Sequence, residues 1–119
     1  MKTVISTSIL LATLSVTALA QSVGGNYRVS GTNFNGSSYS GTAQITLATN
    51  SNCHINWVTG STTSYGSCMR KGATFAAGYI LNGEVGLVLY ELRPDGSLVG
   101  TWTLANQPGT GTETLTPMR

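Results

Sequence analysis

The stretch NCHINWVTGSTTSYGSCM, Asn52 to Met69, concentrates the groups with most capacity for chemistry: Cys53 and Cys68, His54 and Trp57. Two thiols and an imidazole can form a structural disulfide, a redox dithiol or part of a metal site. A redox centre favours Cys-x-x-Cys or a thiolate at a helix N-terminus, and neither is present. A metal site needs three or four ligands, and His54 is the one nearby imidazole, turned away from Cys53, Ile55 and Trp57 by strand alternation. A staple is left. If Gly60-Ser61 is a two-residue turn, Thr59 faces Thr62, Trp57 faces Ser64, Ile55 faces Gly66 and Cys53 faces Cys68. That count makes the cysteines a hydrogen-bonded pair, the wider of the two spacings, so a bulge or local twist is expected to help close the bond.

The remaining polar groups form no catalytic pattern. His54 has no acidic neighbour in sequence or in this register and reads as an outward polar residue. Asp95 falls in a turn, Glu84 and Glu91 bracket one strand, and Glu113 stands on the last. No serine lies in a nucleophile-elbow context. The chain is therefore expected not to be an enzyme, and to hold neither cofactor nor metal.

The elements that position these residues are strands. Short runs rich in Val, Ile, Leu, Thr, Tyr and Trp are cut by turn signals at Asn35-Gly36, Asn50 to Asn52, Gly60-Ser61, Lys71-Gly72, Asn82-Gly83, Asp95-Gly96 and Asn106 to Gly109. Seven connections imply eight strands. A turn at Asn82-Gly83 sets Ile80 opposite Val85, Tyr79 opposite Gly86, Ala77 opposite Val88 and Phe75 opposite Tyr90. A turn at Asp95-Gly96 then sets Leu89 opposite Trp102 and Tyr90 opposite Thr101.

Eight sequential antiparallel strands can close into an up-and-down barrel, lipocalin-like or avidin-like in architecture, which removes exposed edges. A two-sheet sandwich is the alternative. Trp57, Trp102, Phe75, Ile45 and Leu47 are candidate interior fillers, and a filled interior is expected rather than a large pocket. Most runs are too short to span a bilayer as an outer-membrane barrel.

Ahead of these strands, Lys2, an apolar stretch from Val4 to Leu19 and the close Ala18-Leu19-Ala20 read as a cleaved secretory signal, residues 1–20. Gln21, where a lipoprotein would carry Cys, argues against a lipid anchor. Residues 21–119 then form a single all-β domain, periplasmic or secreted, with no membrane span once the signal is removed. An oxidising destination suits the disulfide. Arg28, Arg70, Lys71, Arg93 and Arg119 oppose Glu84, Glu91, Asp95 and Glu113, five against four, so the exported net charge is +1. Such a balance offers no footprint for nucleic acid.

Four blocks carry a resemblance over nearly the whole exported chain: YRVSGTNFNGSSYSGTAQI from Tyr27, CHINWVTGSTTSYGSCMRKG from Cys53, VGLVLYELRPDGSLVGTWT from Val85 and GTGTETLTP from Gly109. The spaced pattern from Tyr27 to Gly41 and the later Asp95-Gly96-x-Leu98-x-Gly100-x-Trp102-Thr103 are its most specific parts. Together they resemble a family of small exported proteobacterial proteins often labelled fibronectin-binding. The resemblance implies a protein-interaction module, with fibronectin or another extracellular or periplasmic protein as partner. Phe34, Tyr65, Arg70 and Lys71 are the candidate binding surface. Each also has a structural reading: Phe34 tucked under its turn, Tyr65 covering an outer face, Arg70-Lys71 a solvated corner. A small-ligand carrier of lipocalin or avidin type and an exported hydrolase inhibitor are the alternatives, and a buried cavity of a few hundred cubic ångströms would favour the carrier.

Overall fold

The computed structural model describes residues 21–48 and 52–118. The expected signal, residues 1–20, lies outside the described residues, as do Asn50 of the second expected turn and Arg119. Eight strands follow in order: β1 (Gly25–Thr32), β2 (Ser38–Leu47), β3 (Asn52–Thr59), β4 (Thr62–Lys71), β5 (Thr74–Leu81), β6 (Glu84–Leu92), β7 (Leu98–Leu104) and β8 (Gly111–Pro117). Each pairs antiparallel with the next, and β8 returns to β1, from Tyr27 opposite Pro117 to Thr32 opposite Thr112. The sheet is thus a closed barrel and the sandwich alternative is set aside.

Two hairpins follow from their turn residues. Asn82 and Gly83 both have positive φ, 50° and 80°, as a mirror-image two-residue turn requires, and the pairs Ile80–Val85, Tyr79–Gly86, Ala77–Val88 and Phe75–Tyr90 form. The Gly60-Ser61 turn likewise places Thr59 on Thr62, Trp57 on Ser64, Ile55 on Gly66 and Cys53 on Cys68. The disulfide forms between Cα atoms 4.9 Å apart. No bulge is needed, since the ladder runs unbroken from Asn52–Met69 to Thr59–Thr62.

The hairpin at Asp95-Gly96 differs by one residue from its expected register. Arg93 N–H donates to Ser97 O at 2.8 Å and Gly96 N–H to Arg93 O at 2.9 Å, with Gly96 at φ 89°. This is a three-residue loop, Pro94-Asp95-Gly96, closing on a left-handed glycine. Asp95 Oδ1 holds it by accepting the Ser97 N–H at 2.9 Å and hydroxyl at 2.6 Å. The pairs become Val88–Trp102, Leu89–Thr101 and Tyr90–Gly100, in place of Leu89–Trp102 and Tyr90–Thr101.

Alternation then sorts the interior into two ends. The lower end, where the chain enters β1, is packed by Val23, Tyr27, Ile45, Phe75, Leu92, Leu98, Leu115 and the disulfide, all buried. Tyr27 hydroxyl donates to Val23 O at 2.6 Å, tying the segment before β1 across this end. Leu47, expected as a filler, points inward by alternation but sits at the rim where β2 ends, and it remains 47% exposed. The upper end is not filled.

Candidate functional site: an aromatic mouth around Glu113

Strand β8 reads Gly-Thr-Glu-Thr-Leu-Thr-Pro, with the threonines on one face and Gly111, Glu113 and Leu115 buried on the other. Glu113 is therefore a carboxylate inside the barrel, 8% exposed. On both sides its neighbour across the ladder is a glycine, Gly31 on β1 and Gly100 on β7. With no side chain in the way, tyrosines reach over from the second strand on each side. Tyr39 of β2 donates to Glu113 Oε1 at 2.7 Å, and Tyr90 of β6 donates to Oε2. From across the barrel, Trp57 Nε1 on β3 donates to Oε2 at 2.9 Å.

Glycines also seat the other mouth aromatics. Tyr79 lies over its cross-strand partner Gly86, and Trp102 over Gly111, as Tyr39 lies over Gly31. A Cβ at Gly86 would stand 2.2 Å from the Tyr79 ring, and at Gly111 2.4 Å from the Trp102 indole. Cross-strand aromatic–glycine pairing of this kind fixes ring position and register together. Tyr79 meets Trp57 edge-on with ring centres 5.3 Å apart, and its hydroxyl donates to Thr103 O at 3.0 Å.

These side chains surround a cavity of about 310 Å³ lined by Tyr39, Trp57, Ser64, Tyr79, Trp102 and Glu113, with Asn33, Thr59, Thr62 and Asn82 around its opening. The expected filled interior thus holds for the lower end only.

Burial pushes the Glu113 carboxyl above the ordinary carboxylate range, and the donors Tyr90, Tyr39 and Trp57 pull against that shift without cancelling it. Burial, and then the negative charge of Glu113, push Tyr39, Tyr79 and Tyr90 well above the ordinary phenol range, so all three remain neutral donors. The mouth is chemically a desolvated acceptor framed by aromatic faces.

The four residues expected to form a binding surface are not brought together. Phe34 is half-buried in the β1–β2 loop and stacks on Trp102 with ring centres 4.7 Å apart, so it adjoins the mouth. Tyr65 lies on the outer wall, 60% exposed. Arg70 and Lys71 lie at the lower end of β4, where Arg70 Nε donates to Gly72 O at 2.8 Å and Nη1 to Gln21 O. His54 is exposed on the outside of β3. The residues missed by the reading of the sequence are Glu113 and the tyrosines around it, Tyr39, Tyr79 and Tyr90. The signal for Glu113 was the threonine alternation of β8, which sets it on the same face as Leu115.

No family model matches the chain, and no curated protein matches it. Solved structures do. A redesigned β-barrel aligns with a TM-score of 0.73 at 14% identity, covering 88% of this chain and 99% of its own. The redesigned β-barrel mFAP1, solved bound to DFHBI, aligns at 0.69 and 17% identity, covering 84% and 99%. A variant of the fluorescent protein UnaG aligns at 0.53 and 10% identity, covering 81% and 96%. At such identities these likenesses concern the fold alone: this chain is an eight-stranded antiparallel up-and-down β-barrel.

Proposed function

We propose that this protein is a small-ligand carrier that binds an organic molecule in the upper mouth of the barrel. The observation that carries this reading is Glu113: a buried carboxylate at a cavity of about 310 Å³, held by three donors and framed by Trp57, Tyr79 and Trp102. Ligand pockets combine apolar walls with a few convergent polar groups in this way. One of the similar barrels, mFAP1, is solved with a small molecule bound. The test uses indole as a neutral aromatic probe and follows the side-chain N–H resonances of Trp57 and Trp102 by NMR. Saturable shifts of both resonances are expected, and loss of them in a folded Ser64→Phe variant that fills the cavity. Shifts that never saturate, or that survive in the filled variant, count against the mouth as a binding site.

A second reading, the protein-interaction module, draws support from the outer wall. Tyr65, Met69, Val85, Leu87 and Leu89 are large apolar residues left exposed on β4 and β6, and contiguous exposed apolar surface favours a protein partner. Binding of the purified protein to immobilised fibronectin beside an unrelated glycoprotein tests it. Tyr65→Ser should weaken any saturable fibronectin binding, and equal binding to both surfaces would argue for stickiness. Either role suits export to the periplasm or the medium, where the Cys53–Cys68 disulfide persists. The mass of the secreted chain checks that it begins at Gln21.

A further inference from the structure

The acceptor positions of Glu113 can be counted. Each carboxylate oxygen offers two. Among the described residues Oε2 receives both the Trp57 N–H and the Tyr90 hydroxyl, whereas Oε1 receives the Tyr39 hydroxyl alone. One acceptor position on Oε1 is open, on a residue that lines the cavity.

The charge balance is also one-sided. Facing Glu113 are Tyr39 from β2, Trp57 from β3, Tyr79 from β5 and Tyr90 from β6, with Gly31 and Gly100 beside it on β1 and β7. None carries positive charge. Arg28 lies on the exposed face of β1, and Arg70 and Lys71 lie at the opposite end of the barrel. Among the described residues the ion pair is Arg93–Glu91 on the surface, and no three metal-ligating side chains gather anywhere. Neutral donors moderate a buried carboxylate but do not balance it. The walls have the same preference, since the faces of Trp and Tyr attract cations and repel anions.

We infer that the mouth cavity takes a compact aromatic cation bearing at least one N–H, which donates to the open position on Glu113 Oε1 while its ring lies among Trp57, Tyr79 and Trp102. This rests on the ligand-carrier reading and names its ligand class. The cavity volume favours a molecule of one or two rings.

Three probes of nearly one shape test the charge: benzamidine, a cation with N–H donors, benzamide, its neutral counterpart, and benzoate, an anion. Titrations at neutral pH, followed by tryptophan fluorescence, use the purified protein with its disulfide intact. Benzamidine should bind roughly tenfold or more tighter than benzamide, as expected of a charge-assisted hydrogen bond in an aromatic site, with benzoate weakest. Glu113→Gln should erase the difference between benzamidine and benzamide. On the unaltered protein, acidification below the carboxyl's titration should weaken benzamidine but not indole, which covers the case of a Gln variant that fails to fold. Equal binding of benzamidine and benzamide, tighter benzoate, or a preference that survives Glu113→Gln overturns the cation and leaves the carrier standing if indole binds. Failure of indole together with all three probes overturns both.

Discussion

The two ends of this barrel are built from the same eight strands with the same alternation, yet they are opposite in character. The lower end places Ile45, Phe75, Leu92, Leu98, Leu115 and a disulfide inside, and closes them with Val23 from the segment before β1. The upper end places Tyr39, Trp57, Tyr79 and Trp102 around a carboxylate and leaves a cavity. A buried carboxylate without a counter-charge costs stability, so it needs margin elsewhere in the fold. The lower end supplies that margin. Packing and the proposed recognition are thus assigned to opposite ends of the barrel axis, and variants at the two ends should separate them experimentally.

The largest effect is expected at the packed end. Leu98 is fully buried there between Leu92 and Leu115 on the neighbouring strands, so Leu98→Ala should lower stability by about 2–5 kcal/mol. Chemical denaturation measures this, and the Trp57 and Trp102 indole resonances of the folded variant should still respond to indole. Next comes the staple. Reduction of the disulfide, or Cys53→Ser, should cost about 3 kcal/mol with ligand binding unchanged. Loss of binding at intact folding would instead tie the bond to function and break the proposed division between the ends.

Gly86→Ala probes the other end. The added Cβ would stand 2.2 Å from the Tyr79 ring, and Tyr79 must leave its seat against Trp57. A destabilisation of about 1–3 kcal/mol is expected, in the range for overpacking, accompanied by weaker indole binding. The ratio of the two effects is the informative quantity: Gly86→Ala should impair binding more per unit of stability lost than Leu98→Ala does. Equal ratios would mean that the cavity and the core respond as one body.

Much of this fold was legible because its turns are. Asn82-Gly83 and Gly60-Ser61 set two registers to the residue, and with them the cysteine pair. Asp95-Gly96 misled by one position because two-residue and three-residue loops share the same dipeptide; the choice is made by Pro94 and by Asp95 capping Ser97, which add a residue to the loop. Asn35-Gly36 repeats the device, with Asn33 N–H donating to Ser37 O at 2.8 Å and Gly36 at φ 86°. That single step matters for the candidate site. In the true register Tyr90 lies beside Gly100, and Gly100 beside Glu113, which is the row that assembles the site. The β1–β8 pairing that closes the barrel carries no turn at all, so the approach of Tyr39 over Gly31 to Glu113 required the three-dimensional structure.

The smallest expected effect is also the most specific to the upper end. Because burial raises the Glu113 carboxyl above its ordinary range, the folded protein holds that proton at pH values where the unfolded chain has released it. Stability is therefore highest where Glu113 is protonated in both states, and it falls as pH rises from the ordinary carboxylate range through the raised folded value. Above that value the loss is complete and the dependence flattens. Asp95 works in the opposite sense. Its carboxylate is stabilised chiefly by the Ser97 hydroxyl and then the Ser97 N–H, so its contribution is gained as pH rises through the acid range. Glu113→Gln should remove the decline and keep the acid-range gain, and its denaturation midpoint should match the unaltered protein most closely at low pH and exceed it near neutrality. A bound cation should have the same effect on the unaltered protein, flattening the decline by stabilising the ionised carboxyl. If Glu113→Gln leaves the decline in place, the pH response belongs to another group, and the upper end is not the electrostatic liability that distinguishes it from the lower.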